Sequence, residues 1–158
     1  MLAQEIYEKL KAEFGDAIIE FKQEPFFDPF VQVAPEKLFD ISLYLRDTPE
    51  LDFDYLSLLG GMDYKENLGV VYHLYSIKLK HSFILKVTVS KDNPVVPSVE
   101  RIWRSADWHE REAYDMFGIR FEGHHNLIRI LCPYDWEGFP LRKDYVQPDE
   151  YHGMKVPY

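Results

Sequence analysis

At 158 residues, with 46% apolar and 16% aromatic side chains, the chain is long enough for one domain with its own core, and it is not a disordered acidic polypeptide. A net charge of −9 excludes a general nucleic-acid binder, which needs a basic surface against phosphate. The single cysteine, Cys132, excludes an intrachain disulfide and a thiolate-held iron–sulfur cluster; it reads as a small apolar core residue in a reducing compartment.

The N-terminal MLAQEIYEKLKAEFG predicts an amphipathic helix and no signal peptide, with Ile6, Leu10 and Phe14 on one face and Gly15 closing it. Ala17 to Phe21 predicts a strand, and EPFFDPF (24–30) a loop. Pro35 suits the first turn of a helix through about Arg46, with Leu38, Ile41 and Leu45 on one face. An apolar stretch from Tyr55 to Leu59 ends where Gly60-Gly61 breaks it. Odd positions from Val71 (His73, Tyr75, Ile77, Leu79) form an apolar face, with Lys78 and Lys80 pointing away. From Phe83, Leu85, Val87 and Val89 alternate with Lys86, Thr88 and Ser90. These runs predict two half-buried antiparallel strands joined near Lys80-His81, with His73 a hydrogen-bonded core histidine rather than a ligand.

DNPVVPSV (92–99) reads as a proline-braced connector, and Ser98 can cap a short helix through Arg104. Asp107 can cap the next helix, with Glu110 at capping-box spacing; that helix ends at Phe117, with Gly118 as a left-handed cap. Ile119 to Phe121 is extended. After Leu131 the chain has no clean period and carries four prolines and six aromatics, so it should lie along a surface, its own or a neighbour's. The predicted class is α+β: a small, mostly antiparallel sheet with flanking helices (1–91), a motif segment packed on it (92–131), and an extended partner-binding arm (132–158). No run is apolar enough to span a bilayer, so a role at a membrane needs a partner.

The chemistry concentrates in DWHEREAYDMFG (107–118), where Glu110, Glu112 and Asp115 crowd around Arg111 beside His109. A zinc helix of the His-Glu-x-x-His kind fails because Ala113 stands where the second histidine belongs. His124 and His125 are adjacent, and neighbours on an extended chain point apart, which disfavours a shared metal. Glu110 and Glu112 fall on different helix faces, and an Arg111–Asp115 pair one turn apart accounts for Asp115 without catalysis. No phosphate loop or nucleophile elbow appears. A plain solvated face would segregate charges from rings, but Trp108, Tyr114, Met116 and Phe117 interleave with them, so the helix reads as one enclosed by other protein. All arginines except Arg46 follow position 100, and arginine and aromatic side chains are what interfaces enrich.

Residues 110–119 (EREAYDMFGI), Gly123-His124, LIRIL (127–131), Asp135-Trp136, Gly138 and PLRKDY (140–145) resemble the 30 kDa-type (C-type) subunit of proton-pumping NADH:quinone oxidoreductase, respiratory complex I. DNPVVPSV is similar to the equivalent subunit of cyanobacterial and chloroplast complexes. The resemblance covers roughly residues 92–147, and departs from the family pattern at His125 and Ile128. It implies a small α+β subunit of the peripheral arm, held by its partners on the cytoplasmic side of the membrane. It implies no cofactor and no activity in this chain, with FMN, iron–sulfur clusters and quinone on partner subunits. The partners implied are the large quinone-site subunit (D type) and the terminal iron–sulfur subunit (B type), with the ferredoxin-like subunit (I type) as a further neighbour. Interface or structural work falls to Glu110, Arg111, Glu112, Tyr114, Asp115, Gly118, His124, Arg129, Trp136, Arg142 and Asp144. Rival readings are the same role in a membrane-bound hydrogenase or a ferredoxin- or F420H2-using complex, a free-standing metal enzyme using His109 and His124, and a binding module for an unrelated partner.

Overall fold

The structure, a computed structural model, describes residues 1–25 and 28–156. Its centre is a five-stranded mixed sheet in the order β1 (Ile18–Lys22), β2 (Phe30–Val33), β5 (His81–Ser90), β4 (Asn67–Ser76), β3 (Tyr55–Asp63). Every neighbouring pair is antiparallel except β2 with β5, which is parallel. Helices α1 (Ala3–Phe14) and α2 (Leu38–Asp47) complete the first half. α1 buries Ile6 and Leu10, and its C-cap Gly15, at φ +51°, donates its N–H to the Lys11 carbonyl. A short 3-10 turn over Pro35–Lys37 precedes α2.

Strand β2 has no counterpart among the expected elements; it takes Phe30 from the end of the expected 24–30 loop, while Phe26 and Phe27 lie outside the described residues. Gly60-Gly61 do not break a strand: β3 runs through them to Asp63. The reason is packing across the sheet end. A Cβ on Gly61 would stand 2.5 Å from Phe117 Cδ2, so the glycine lets α3 (Ala106–Phe117) close onto β3.

The face of β4 is also the reverse of the one expected. Leu68, Val70, Tyr72, Leu74 and Ser76 are buried, whereas Tyr75 is exposed and His73 is half-buried on the outer side. His73 is therefore no core histidine. Ile77 to Lys80 form the turn into β5, and both Ile77 and Leu79 are exposed there. In β5 the expected phase holds, with Phe83, Leu85 and Val87 inside.

The connector 92–99 contains β6 (Val95–Pro97), which pairs in parallel with β7 (Arg120–Glu122). No helix follows Ser98; turns lead to Trp103, whose Nε1 donates to the Phe53 carbonyl at 2.8 Å and ties the segment to the core. One hydrophobic core runs from Ile6 through the sheet to Val96, Val99, Trp103, Ala113, Ile119 and Phe121, so residues 92–121 fold as part of the first half. The C-terminal arm is mostly turns, with a small hairpin of β8 (Glu150–Tyr151) and β9 (Met154–Lys155). No helix among the described residues is long and apolar enough to cross a membrane.

Candidate functional site

Helix α3 turns two of its acids, Glu110 and Asp115, inward. The Glu110 side chain is 0% exposed; Ser98 donates its hydroxyl to Oε2 at 2.6 Å, and Val99 donates its N–H to Oε1 at 2.7 Å. Burial pushes the Glu110 carboxyl up to about 8, against the pull of those two donors. The expected capping box is absent. Ser105, not Asp107, is the N-cap, it makes no side-chain cap, and its hydroxyl donates to the Leu56 carbonyl. Glu110 ties the helix to the connector eleven to twelve residues earlier instead of to its own first turn.

Asp115, also fully buried, is the second anchor. Arg129 Nη1 donates to Oδ1 at 2.7 Å, while Oδ2 accepts three consecutive backbone N–H groups, from Ile130 (3.0 Å), Leu131 (2.7 Å) and Cys132 (2.9 Å). Burial alone would raise this carboxyl; the four hydrogen bonds outweigh it and hold it below the usual carboxylate value. The expected Arg111–Asp115 pair does not form. Arg111 reaches instead to the carbonyls of Ile128 (3.2 Å) and Arg129 (3.3 Å), with its guanidinium over Trp108. Arg129 spends its other nitrogen on the carbonyls of Trp136 and Gly138, each at 2.9 Å. Cys132 is half-buried beside this pair rather than in the core.

Gly118 has the left-handed backbone expected of it, φ +73° and ψ 22°. A Cβ there would also meet Phe139 at 2.5 Å, because the arm folds back over the helix end. Arg142 donates from Nε to the Phe117 carbonyl at 2.6 Å and lies over the Phe139 ring, and Leu141 N–H reaches the Met116 carbonyl. Tyr114 meets the same ring edge-on. Trp136 Nε1 donates to the Tyr145 hydroxyl at 3.1 Å. Asp144 is exposed, 3.6 Å from Lys91, and Glu112 is exposed with no ion pair among the described residues.

His124 and His125 do not point apart. They lie in a turn after Gly123, with ring centroids 5.3 Å apart and planes 12° from parallel. The buried His124 Nε2 faces Asp107 (Oδ1 at 3.3 Å, carbonyl at 3.2 Å) and Glu100 (Oε2 at 3.5 Å). Glu100 accepts from the His125 N–H at 2.8 Å, and its Oε2 is 2.7 Å from His125 Nδ1. Burial raises the Glu100 carboxyl, but the two histidines outweigh it and hold the group below its ordinary value. Glu100 and Asp63 were not singled out in the sequence, and Ser98 was read only as the cap of a short helix. Each acts on a residue at least eleven positions away, and no local spacing reveals that. Asp63 pins the arm, accepting the Lys143 N–H at 2.8 Å and Lys91 Nζ at 3.0 Å.

What these residues define is a small mixed-sheet α+β protein whose charged helix is a structural knot binding connector, helix and arm. Several known proteins resemble it. A family model described as the 30 kDa subunit of respiratory-chain NADH dehydrogenase matches residues 31–151. The C-type subunit of NADH-quinone oxidoreductase from Chlorobium phaeobacteroides is 48% identical over 155 residues, covering 96% of this chain and 93% of that one. The subunit of the same name from Chloroherpeton thalassium is 47% identical over 96% of this chain and 64% of its own length. Among solved structures, a trypsin-resistant fragment of Nqo5 superposes with a TM-score of 0.65 at 27% identity, over 78% of this chain and 98% of the fragment. A chain of an archaeal membrane-bound sulfane sulfur reductase shares the fold (TM-score 0.70, 22% identity, 90% of this chain and 85% of that one). The chain belongs to the 30 kDa subunit family of respiratory-chain NADH dehydrogenase.

Proposed function

We propose that this chain is a non-catalytic structural subunit of the peripheral arm of a proton-translocating NADH:quinone oxidoreductase, on the cytoplasmic side of the membrane. It braces the quinone-site subunit (D type) and the terminal iron–sulfur subunit (B type), with the ferredoxin-like subunit (I type) as a further neighbour. FMN, the iron–sulfur clusters and quinone belong to those partners and others, and the isolated chain has no turnover. The carrying observation is the outer surface of the knot. Arg129 and Asp115 tie residues 128–138 together through their hydrogen bonds, yet Ile128, Leu131 and Tyr134 are exposed, Tyr134 at 93%. Leu141 and Val146 in the arm are exposed as well. A loop tied in this way that presents apolar side chains to water favours a partner covering it.

Leu131→Glu tests this, because the side chain is exposed and lies outside the core, with circular dichroism checking the fold. The expected result is several-fold less assembled complex co-purifying with the tagged chain, at unchanged turnover per assembled complex. Normal assembly with abolished turnover would refute the bracing role.

A further inference from the structure

The turn after Gly123 brings one ligand-capable atom from each of Glu100, Asp107, His124 and His125 within 4.8 Å of one another. The four come from three separate segments: the turn after β6, the first turn of α3, and the turn after β7. Their chemistry is unequal. His124 Nδ1 already accepts the Asn126 N–H at 3.0 Å, so its proton sits on Nε2, which donates to the Asp107 carbonyl at 3.2 Å with the Asp107, Glu100 and Glu110 carboxylates 3.3, 3.5 and 3.9 Å away. A metal-bound histidine needs the opposite arrangement, with its second nitrogen donating. His125 has no N–H donor fixed on its ring: Nδ1–H donates to Glu100 Oε2 at 2.7 Å, and because the side chain is 57% exposed a binding cation can displace that proton and leave the ring protonated at Nε2, in water.

We propose that Glu100, Asp107 and His125 form a site for one divalent transition-metal cation of the Zn2+ type. His124 is the positioning residue: its Nε2–H holds the Asp107 carbonyl and its ring faces both carboxylates. Bond lengths of about 2.0–2.2 Å set neighbouring tetrahedral ligands roughly 3.3–3.6 Å apart. The cluster already lies within reach of that spacing, and the 2.7 Å contact between His125 and Glu100 has only to widen by less than about 1 Å. Charge points the same way. Among the described residues, the ion-pair partners of Glu100 and Asp107 are imidazoles and no Lys or Arg, the buried Glu110 carboxyl adds a further acid beside His124, and a divalent cation balances two carboxylates. A mixed imidazole and carboxylate set favours Zn2+ and its transition-metal neighbours over Mg2+ or Ca2+. Bound there, the cation would clip the three segments around the N-terminus of α3, leaving its remaining coordination positions to water.

The test is calorimetric titration of Zn2+ into the full-length chain after chelator treatment. The expected result is saturable binding of about one equivalent, weakened at least about tenfold by His125→Ala and by Asp107→Asn, and unchanged by His152→Ala, which removes the exposed Asp135–His152 pair. His125 and Asp107 are both solvent-accessible, and circular dichroism verifies that each variant is folded. Absence of saturable binding, equal affinity in the wild type and both variants, or loss of binding in His152→Ala would each overturn the proposal.

Discussion

Asp115→Ala is the sharpest test of the knot at the end of α3. The substitution removes one ion pair and the acceptor for three consecutive backbone amides. Orphaning one member of a fully buried ion pair costs about 3–5 kcal/mol. Two features place this case at the low end. Arg129 keeps the carbonyls of Trp136 and Gly138, and the amides of residues 130–132 sit in half-buried or exposed residues that water can reach. The expected loss is about 3 kcal/mol, or roughly 6–12 °C in Tm for a chain of this size. Asp115→Asn should recover little, because its NH2 must face either the guanidinium or the three N–H donors. The folded Asp115 carboxyl lies below its ordinary value of 3.8, so its contribution is present above that pH and lost as the pH falls through the folded value. The wild-type advantage over Asp115→Ala should therefore shrink below about pH 4. Thermal unfolding across pH, with amide exchange at Ile130, Leu131 and Cys132, reads both effects. A Tm shift under about 2 °C with unchanged exchange at those amides would refute the reasoning.

Three further outcomes are expected. Asp63→Asn should free the arm: amide exchange at Lys143 rises and proteolytic cleavage within residues 139–146 accelerates, because its carboxylate accepts that amide and the Lys91 ammonium. Burial would raise the Asp63 carboxyl, but the Lys143 and Lys65 amides and Lys91 bring it down to about 2; the wild-type advantage over Asp63→Asn should fade as pH drops below 3.8, a flat acid limb being the contrary result. Gly61→Ala should destabilise by about 1–3 kcal/mol because its Cβ strikes the Phe117 ring, whereas Gly60→Ala, which meets only Leu58 at 3.6 Å, should be close to neutral; equal Tm values for the two would contradict the packing argument.

Much of the chain was legible because its elements obey local rules. Ile6 and Leu10 repeat at helical spacing and are buried, Gly118 closes α3 in the left-handed region, and β5 alternates as its sequence does. β4 misled for a physical reason. It lies between β3 and β5, both of its faces are apolar, and period 2 then has no preferred phase. Lys78 and Lys80 suggested one, but they belong to the turn. Gly60-Gly61 misled because a glycine pair marks a break only when nothing needs the space above it. Here Phe117, more than fifty residues away, needs it.

The interleaving of rings and charges in α3 reads as enclosure by other protein, but enclosure has no address in the sequence. Glu110 and Asp115 are the buried acids of the motif, and both are enclosed by this chain's own connector and loop. A buried carboxyl group demands donors at fixed positions, and the nearest reliable source of several aligned donors is backbone: Val99 for one, Ile130 to Cys132 for the other. Arg111 and Arg129 follow the converse rule and settle on carbonyls of the loop they hold. The ion-rich motif thus consumes its own polarity in shaping residues 128–138. What remains on the outside of that loop is Ile128, Leu131 and Tyr134. A partner meeting this face would therefore be held by apolar burial and shape more than by the motif's ions. Substitutions at Glu110 or Asp115 would then act on assembly only through the fold of this chain, while substitutions at Leu131 or Tyr134 would act on assembly directly.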